Sequence, residues 1–311
     1  MSLDNLFNPK KTTNLYELKV NFNILKNLLA QNNLPNVLLL SGDKGIGKST
    51  LVNHLMYYIF DKQNYNTTEN NLFKKSNFYN QFLSNAFSNI IYLSGESFKN
   101  VKIEDIRILI DKILKTSLND GKRFIILDDV ELFNNNALNA LLKIIEKPNK
   151  YTHFVLINNR YKPLLSTIKS RCIEFKIILK NDERSSIISS LMNNFNQDLI
   201  LDKDLIKISP GNLLKYNYFF KIHKINPKKD FSINLKKILG LYKKDKDYIY
   251  RDILLYFTEY YFENLKHKNV KNSEEIIKNR SYLLKNINNF FFYNLNQKTL
   301  LNTLDKKQLY E

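Results

Sequence analysis

Residues Gly42, Asp43, Lys44, Gly45, Ile46, Gly47, Lys48, Ser49 and Thr50 fit the pattern G-x-x-x-x-G-K-[ST], a spacing of residue types suited to holding phosphate groups. From Gly42 to Gly47 the backbone must curl until successive N–H groups aim at one centre, and residues carrying a Cβ resist the dihedrals this requires. Lys48 can then reach the β- and γ-phosphates and Ser49 can offer its hydroxyl to Mg²⁺. A helix starting here adds the partial positive charge of its N-terminus. A second run, residues 124–127, is apolar and ends in Asp128 and Asp129. Asp128 is placed to hold Mg²⁺ directly or through water. Asp129 stands where hydrolysing NTPases often carry a Glu, about one methylene longer, that orients the attacking water. These residue types predict binding of ATP or ADP with Mg²⁺, and weak or absent hydrolysis.

The turn needs a strand before it and a helix after it. Residues 37–40 are continuously apolar, as expected of a parallel strand covered on both faces. Leu51, Val52, Leu55, Met56 and Ile59 recur at helical spacing and supply the face that packs on a sheet. Residues 15–31 predict a helix leading in through Pro35. Further strands are expected at 90–93, 124–127 and 154–157, and helices at 103–114 and 137–145, the last stopped by Pro148. This alternation predicts a doubly wound α/β domain over residues 1–180, built on a parallel sheet. Residues 61–89 are polar without clean periodicity, which predicts a helix end followed by an insertion or mobile loop. Beyond residue 181 no strand is expected. Helices at 187–192, 199–208 and 211–223 predict a small helical domain over 181–227, with a linker at 226–230. Helices at 231–242, 248–267, 273–293 and 297–309 predict an all-α domain over 228–311. Its aromatic residues are expected chiefly to fill its core, with some left for a partner surface.

At 311 residues the chain suggests two or three domains, and its 43% hydrophobic content is enough for sizeable cores. Its 48 Lys and Arg against 30 Asp and Glu leave +18, a balance that favours contact with nucleic-acid phosphates. The excess is spread along the chain and forms no basic block. Cys172 is the only cysteine, so no disulfide forms within the chain, no cysteine-based zinc site is expected, and a reducing compartment suits it. The first residues lack an apolar signal core and no apolar run approaches the ~20 residues of a membrane span, which predicts a cytoplasmic protein with no membrane partner.

Residues 127–172 add a more specific signal. The acid pair is followed by Asn139-Ala140-Leu141-Leu142-Lys143, by Glu146-Lys147-Pro148, by a strand ending in Asn158 and Asn159, and by Ser170-Arg171-Cys172. In that order these motifs resemble the bacterial DNA polymerase III clamp-loader subunits, which are AAA+ proteins. Residues 101–107 resemble that family's I-x-V-E-x-I-R helix start. The resemblance implies an AAA+ P-loop NTPase domain, a small helical lid and an all-α C-terminal collar that holds the chain in a hetero-oligomer. Ser209-Pro210-Gly211-Asn212 resembles the S-P-G of the family's delta-prime branch and offers no lid arginine. By resemblance, Asn158 and Asn159 are the polar sensor residues that end the strand, and Asn158 is expected beside the nucleotide. Arg171 is a trans arginine finger that reaches the γ-phosphate bound by a neighbouring subunit. The implied partners are the gamma/tau and delta subunits, the sliding clamp and, mainly through the assembly, primed DNA. The alternatives are an ATP-hydrolysing motor subunit of the gamma/tau kind and a stand-alone AAA+ ATPase of DNA metabolism.

Overall fold

A computed structural model describes residues 7–301 except 75, 96–102, 116–120, 248, 269–272 and 299. Two compact units emerge, Met1–Leu191 with Ser209–Gly211, and Met192–Ile208 with Asn212–Glu311.

The first unit opens on α1 (Lys19–Ala30), β1 (Val37–Ser41) and α2 (Lys48–Phe60). A short antiparallel pair, β2 (Tyr65–Asn66) and β3 (Asn71–Leu72), precedes α3 (Asn77–Leu83). Then come β4 (Ile90–Ser94), α4 (Ile103–Lys115), β5 (Arg123–Asp128), α5 (Asn135–Ile145), β6 (Thr152–Asn158), α6 (Ser166–Lys169), β7 (Ile173–Lys176) and most of α7 (Asn181–Asn194). The sheet runs β4-β5-β6-β1-β7 with every pairing parallel. Successive strand residues point to opposite faces, and the core divides accordingly. Leu38, Leu40, Phe124, Ile126, Val155 and Ile157 pack with α1, α2 and α3. Val37, Leu39, Ile125, Leu127, Phe154 and Leu156 pack with α4, α5 and α6. This is the predicted α/β sandwich, with β1 held between β6 and the edge strand β7 and its carboxyl end carrying the glycine-rich turn.

Three expectations are corrected. The sheet has a fifth strand, β7, which pairs with β1 from Leu38↔Ile173 to Ser41↔Lys176. It lies at an edge and is largely exposed, with Ile173 62% accessible, so it lacks the apolar run that marks the buried strands. Residues 61–89 are not a structureless insertion. Tyr65, Phe78, Tyr79 and Phe82 are buried, and the α3 rings meet Tyr57, Phe78 edge-on at 5.0 Å and Phe82 at 5.6 Å. Ser76 caps α3 by accepting the Tyr79 N–H. A seven-residue helix is too short to print a period, and the Asn80 and Gln81 between its aromatics hide it. Finally, α1 begins at Lys19, while Leu15 and Leu18 are buried ahead of it.

The second unit contains most of α8 (Pro210–Ile222), then α9 (Phe231–Asp245), α10 (Ile249–Lys268) and α11 (Ser273–Phe292). The expected division at 227–228 falls inside this unit. Residues 199–208 form no helix. There the buried Asn217 side chain accepts the Ile200 N–H and donates to the Asp198 carbonyl. Tyr260 in turn accepts the Asp202 N–H. Side chains thus take the backbone groups a helix would have used. Tyr256, Phe257, Tyr260, Tyr261, Phe262, Phe290 and Phe291 are all buried, and Phe231 stacks on Phe257 at 5.0 Å, so these aromatics fill the core. Phe292 and Tyr293 remain exposed. The helix expected at 297–309 lies mostly outside the described residues. No described helix is long and apolar enough to cross a membrane.

Candidate functional site

The site forms at the carboxyl ends of β1, β5 and β6, where an open α/β sheet leaves a crevice for ligands. The Gly42 N–H donates to the Asn158 carbonyl, so β1 and β6 stay in step up to the turn. Gly45 and Gly47 then take left-handed φ of 85° and 99°, and α2 starts directly from Gly47. The Lys44 carbonyl accepts Ser209 Oγ at 2.5 Å and the Gly45 carbonyl accepts the Gly211 N–H at 2.9 Å. In planar trans peptides these contacts turn the N–H groups of Gly45 and Ile46 the other way, free for a ligand. A Cβ on Gly211 would lie 2.8 Å from the Gly45 oxygen, so the S-P-G segment approaches this closely only with glycine there.

Lys48 is 3% exposed and donates to the carbonyls of Gly42 and Asp43, both at 2.7 Å. Burial lowers its pKa to about 8, against the opposing pull of Asp128, Glu131, Asp129 and Asp43. Ser49 Oγ donates to Asp128 Oδ2 at 2.8 Å and Thr50 sits in the same first helical turn. The hydroxyl and carboxylate a Mg²⁺ ion would share are therefore already adjacent. Tyr92 OH donates to the same Asp128 oxygen at 2.9 Å, and the Asp129 N–H donates to the other.

Asp129 is buried in a left-handed conformation, φ 51°. Asn159 Nδ2 donates to its Oδ1 at 2.7 Å and Ser94 Oγ to its Oδ2 at 3.4 Å. Of the two asparagines that end β6, Asn159 is thus the one whose side chain touches the acid pair. Asn158, although buried beside Ser41 in the register, accepts the Arg160 N–H with its side chain. Glu131 is wholly buried, accepts the N–H groups of Asn159 and Tyr161, and keeps Oε2 without a hydrogen-bond partner. Burial raises its pKa. Asp43 pairs with Arg160 at 3.8 Å, and Lys44 lies over the Tyr161 ring at 5.0 Å.

Residues 42–50 lie beside Asp128 at this end of the sheet, and Arg171 does not. It precedes β7 by two residues, and β7 is in register with β1 from Leu38, so Arg171 lies level with the amino end of β1. The glycine-rich turn leaves from the other end, about 16 Å away along five strand residues. Its guanidinium donates to the Thr167 carbonyl at 3.0 Å and meets Glu146 at 3.7 Å. Tyr92, Glu131, Ser209 and Gly211 were not read as site residues. Ser209 and Gly211 stand in the S-P-G segment the sequence displays, whereas Tyr92 and Glu131 belong to no motif.

Residues 18–181 match the family model described as "DNA polymerase III, delta subunit". Over 145 residues the chain is 31% identical to DNA polymerase III subunit delta' of Buchnera aphidicola subsp. Schizaphis graminum, covering 47% of this chain and 42% of the relative. The same organism's DNA polymerase III subunit gamma is 25% identical over 175 residues, 53% of this chain and 46% of the relative. The chain spans under half the length of these curated relatives. Among solved structures, a DNA polymerase III gamma subunit-related protein from Thermotoga maritima shares the fold, with TM-score 0.51 and 19% identity over 90% of this chain and 96% of that one.

Proposed function

This chain belongs to the DNA polymerase III delta-subunit family of AAA+ clamp-loader proteins, and from that membership we propose that it acts as a delta-prime-like, non-motor subunit. In this reading it binds nucleotide with little turnover of its own and lends Arg171 to a neighbour's site while the assembly loads a sliding clamp at primed DNA. The observation that supports it best is the placement of Arg171, a sheet's length from its own glycine-rich turn and lightly tethered at the surface. An exposed pair of that kind contributes little stability, so the guanidinium is easily given up to a phosphate. Co-purification followed by mass spectrometry tests the reading, which expects gamma/tau and delta subunits and is contradicted by their absence.

A motor-like role is the second reading, favoured by the intact Lys48 and the Ser49–Asp128 contact. Both readings share nucleotide binding. Lys48 would leave the carbonyls of Gly42 and Asp43 for the β- and γ-phosphates, and Ser49 and Asp128 would hold Mg²⁺. Calorimetry should find Mg·ATP or Mg·ADP binding in the wild type and at least a tenfold loss in Lys48→Ala, about 1.4 kcal/mol. No wild-type heat at millimolar nucleotide would refute it. The ammonium is the form that pairs with phosphate and is present in the free protein below about pH 8. Affinity should therefore hold steady below pH 8 and fall as pH rises above it, a decline that Lys48→Ala should lack.

A further inference from the structure

Beside the edge strand lies a groove of about 440 Å³, lined by residues of the loop after β6, by α6 and by β7. Arg160, Lys162, Lys169 and Lys176 face it against one carboxylate, Glu174. That carboxylate is occupied. Ser41 Oγ donates to it at 2.5 Å and Lys176 meets it at 3.8 Å. The groove wall is fixed from behind, because Glu131 holds the N–H groups of Asn159 and Tyr161, and Asn158 supports the left-handed Arg160 by accepting its N–H. The Tyr161 ring, 38% exposed, adds an aromatic surface to the cations.

We propose that this groove binds the phosphodiester backbone of a nucleic-acid strand, with Arg160, Lys162 and Lys169 on phosphates and Tyr161 available to stack a base. Cations beside an exposed ring, in an open groove, are the pairing that tracks a single strand without reading its sequence. The same loop carries the signal to the nucleotide site. A phosphate that takes Arg160 from Asp43, or a base that takes Tyr161 from Lys44, releases a contact on the glycine-rich turn. Exposed pairs at such distances exchange readily. The proposal rests on the replication role above only for the identity of the polyanion.

The test is fluorescence anisotropy of a labelled 20-nucleotide single strand on the full chain alone, across a salt series. Lys162→Glu with Lys169→Glu should weaken binding at least tenfold and make the log–log salt slope shallower by about 1.4, the share of two lost single-strand contacts. Lys228→Glu with Lys229→Glu makes the same charge change at exposed positions of the second unit and should cost much less. Equal losses from both pairs, or none from the groove pair, would overturn the proposal by reducing the attraction to net charge. It is also overturned if inorganic pyrophosphate, at matched ionic strength and phosphate concentration, outcompetes an unlabelled strand, since the groove then belongs to a free phosphorylated ligand. These measurements use no partner subunit, so their failure leaves the Arg171 account standing, and failure of that account leaves the groove.

Discussion

In an assembly reconstituted with Arg171→Ala, ATP turnover at the site facing this subunit falls by about 10³-fold or more, the worth of an arginine finger at its own site. The loss is in kcat more than in nucleotide affinity, because the guanidinium stabilises charge that develops in the transition state. The variant chain itself folds and binds nucleotide as the wild type does. Among the described residues its side chain makes a surface contact with Glu146 and a bond to the Thr167 carbonyl, and it lies at the far end of the sheet from Lys48. Arg171→Lys rescues poorly, since a point charge on a flexible stem cannot reproduce a planar two-pronged contact. The assembly as a whole loses less than the affected site, because its other sites keep their own fingers. Stimulated ATPase assays on wild-type, Ala and Lys assemblies measure all of this, and unchanged rates in the Ala assembly would remove Arg171 from the mechanism.

The isolated chain should hydrolyse ATP far more slowly than about 1 s⁻¹, the low end of ordinary enzyme turnover. Two defects act together. The S-P-G segment puts Ser209 and Gly211 against the glycine-rich turn and supplies no lid arginine. Asp129, already shorter than the usual Glu, is held by Asn159 and Ser94, so its carboxylate is committed to the protein rather than to a water. Removing one transition-state contact costs ~10²–10³ in rate, and two leave little. A coupled assay on the purified chain at saturating Mg·ATP decides the matter; turnover near 1 s⁻¹ would favour the motor-like reading.

What could be read from residues alone follows from how locally each feature is encoded. The strand, turn and helix around Lys48 lie in one unbroken run, and buried strands such as Val37–Ser41 and Arg123–Asp128 announce themselves by continuous apolar residues. The edge strand Ile173–Lys176 has one side open to water and carries Glu and Lys, which erases that signal. Residues 61–89 were missed because their four buried aromatics are spread among Asn and Lys at no regular spacing. The stretch 199–208 has helical composition, yet Asn217 and Tyr260, distant in sequence, claim its backbone. The same distance limits the site. Tyr92 on Asp128, and Ser209 and Gly211 on the glycine-rich turn, are contacts made by folding, with no local spacing to announce them. Adjacent residues at a strand end point to opposite sides, so which of Asn158 and Asn159 faces the acid pair is set by the fold, and it is Asn159 that reaches Asp129.

The central claim, that Arg171 serves a site other than its own, is tested most directly by a structure of the assembly with a non-hydrolysable ATP analogue. The account predicts the guanidinium about 2.7–2.9 Å from γ-phosphate oxygens bound by a neighbouring subunit, with the Glu146 contact broken. A guanidinium still resting on Glu146, with every γ-phosphate beyond its reach, would contradict it.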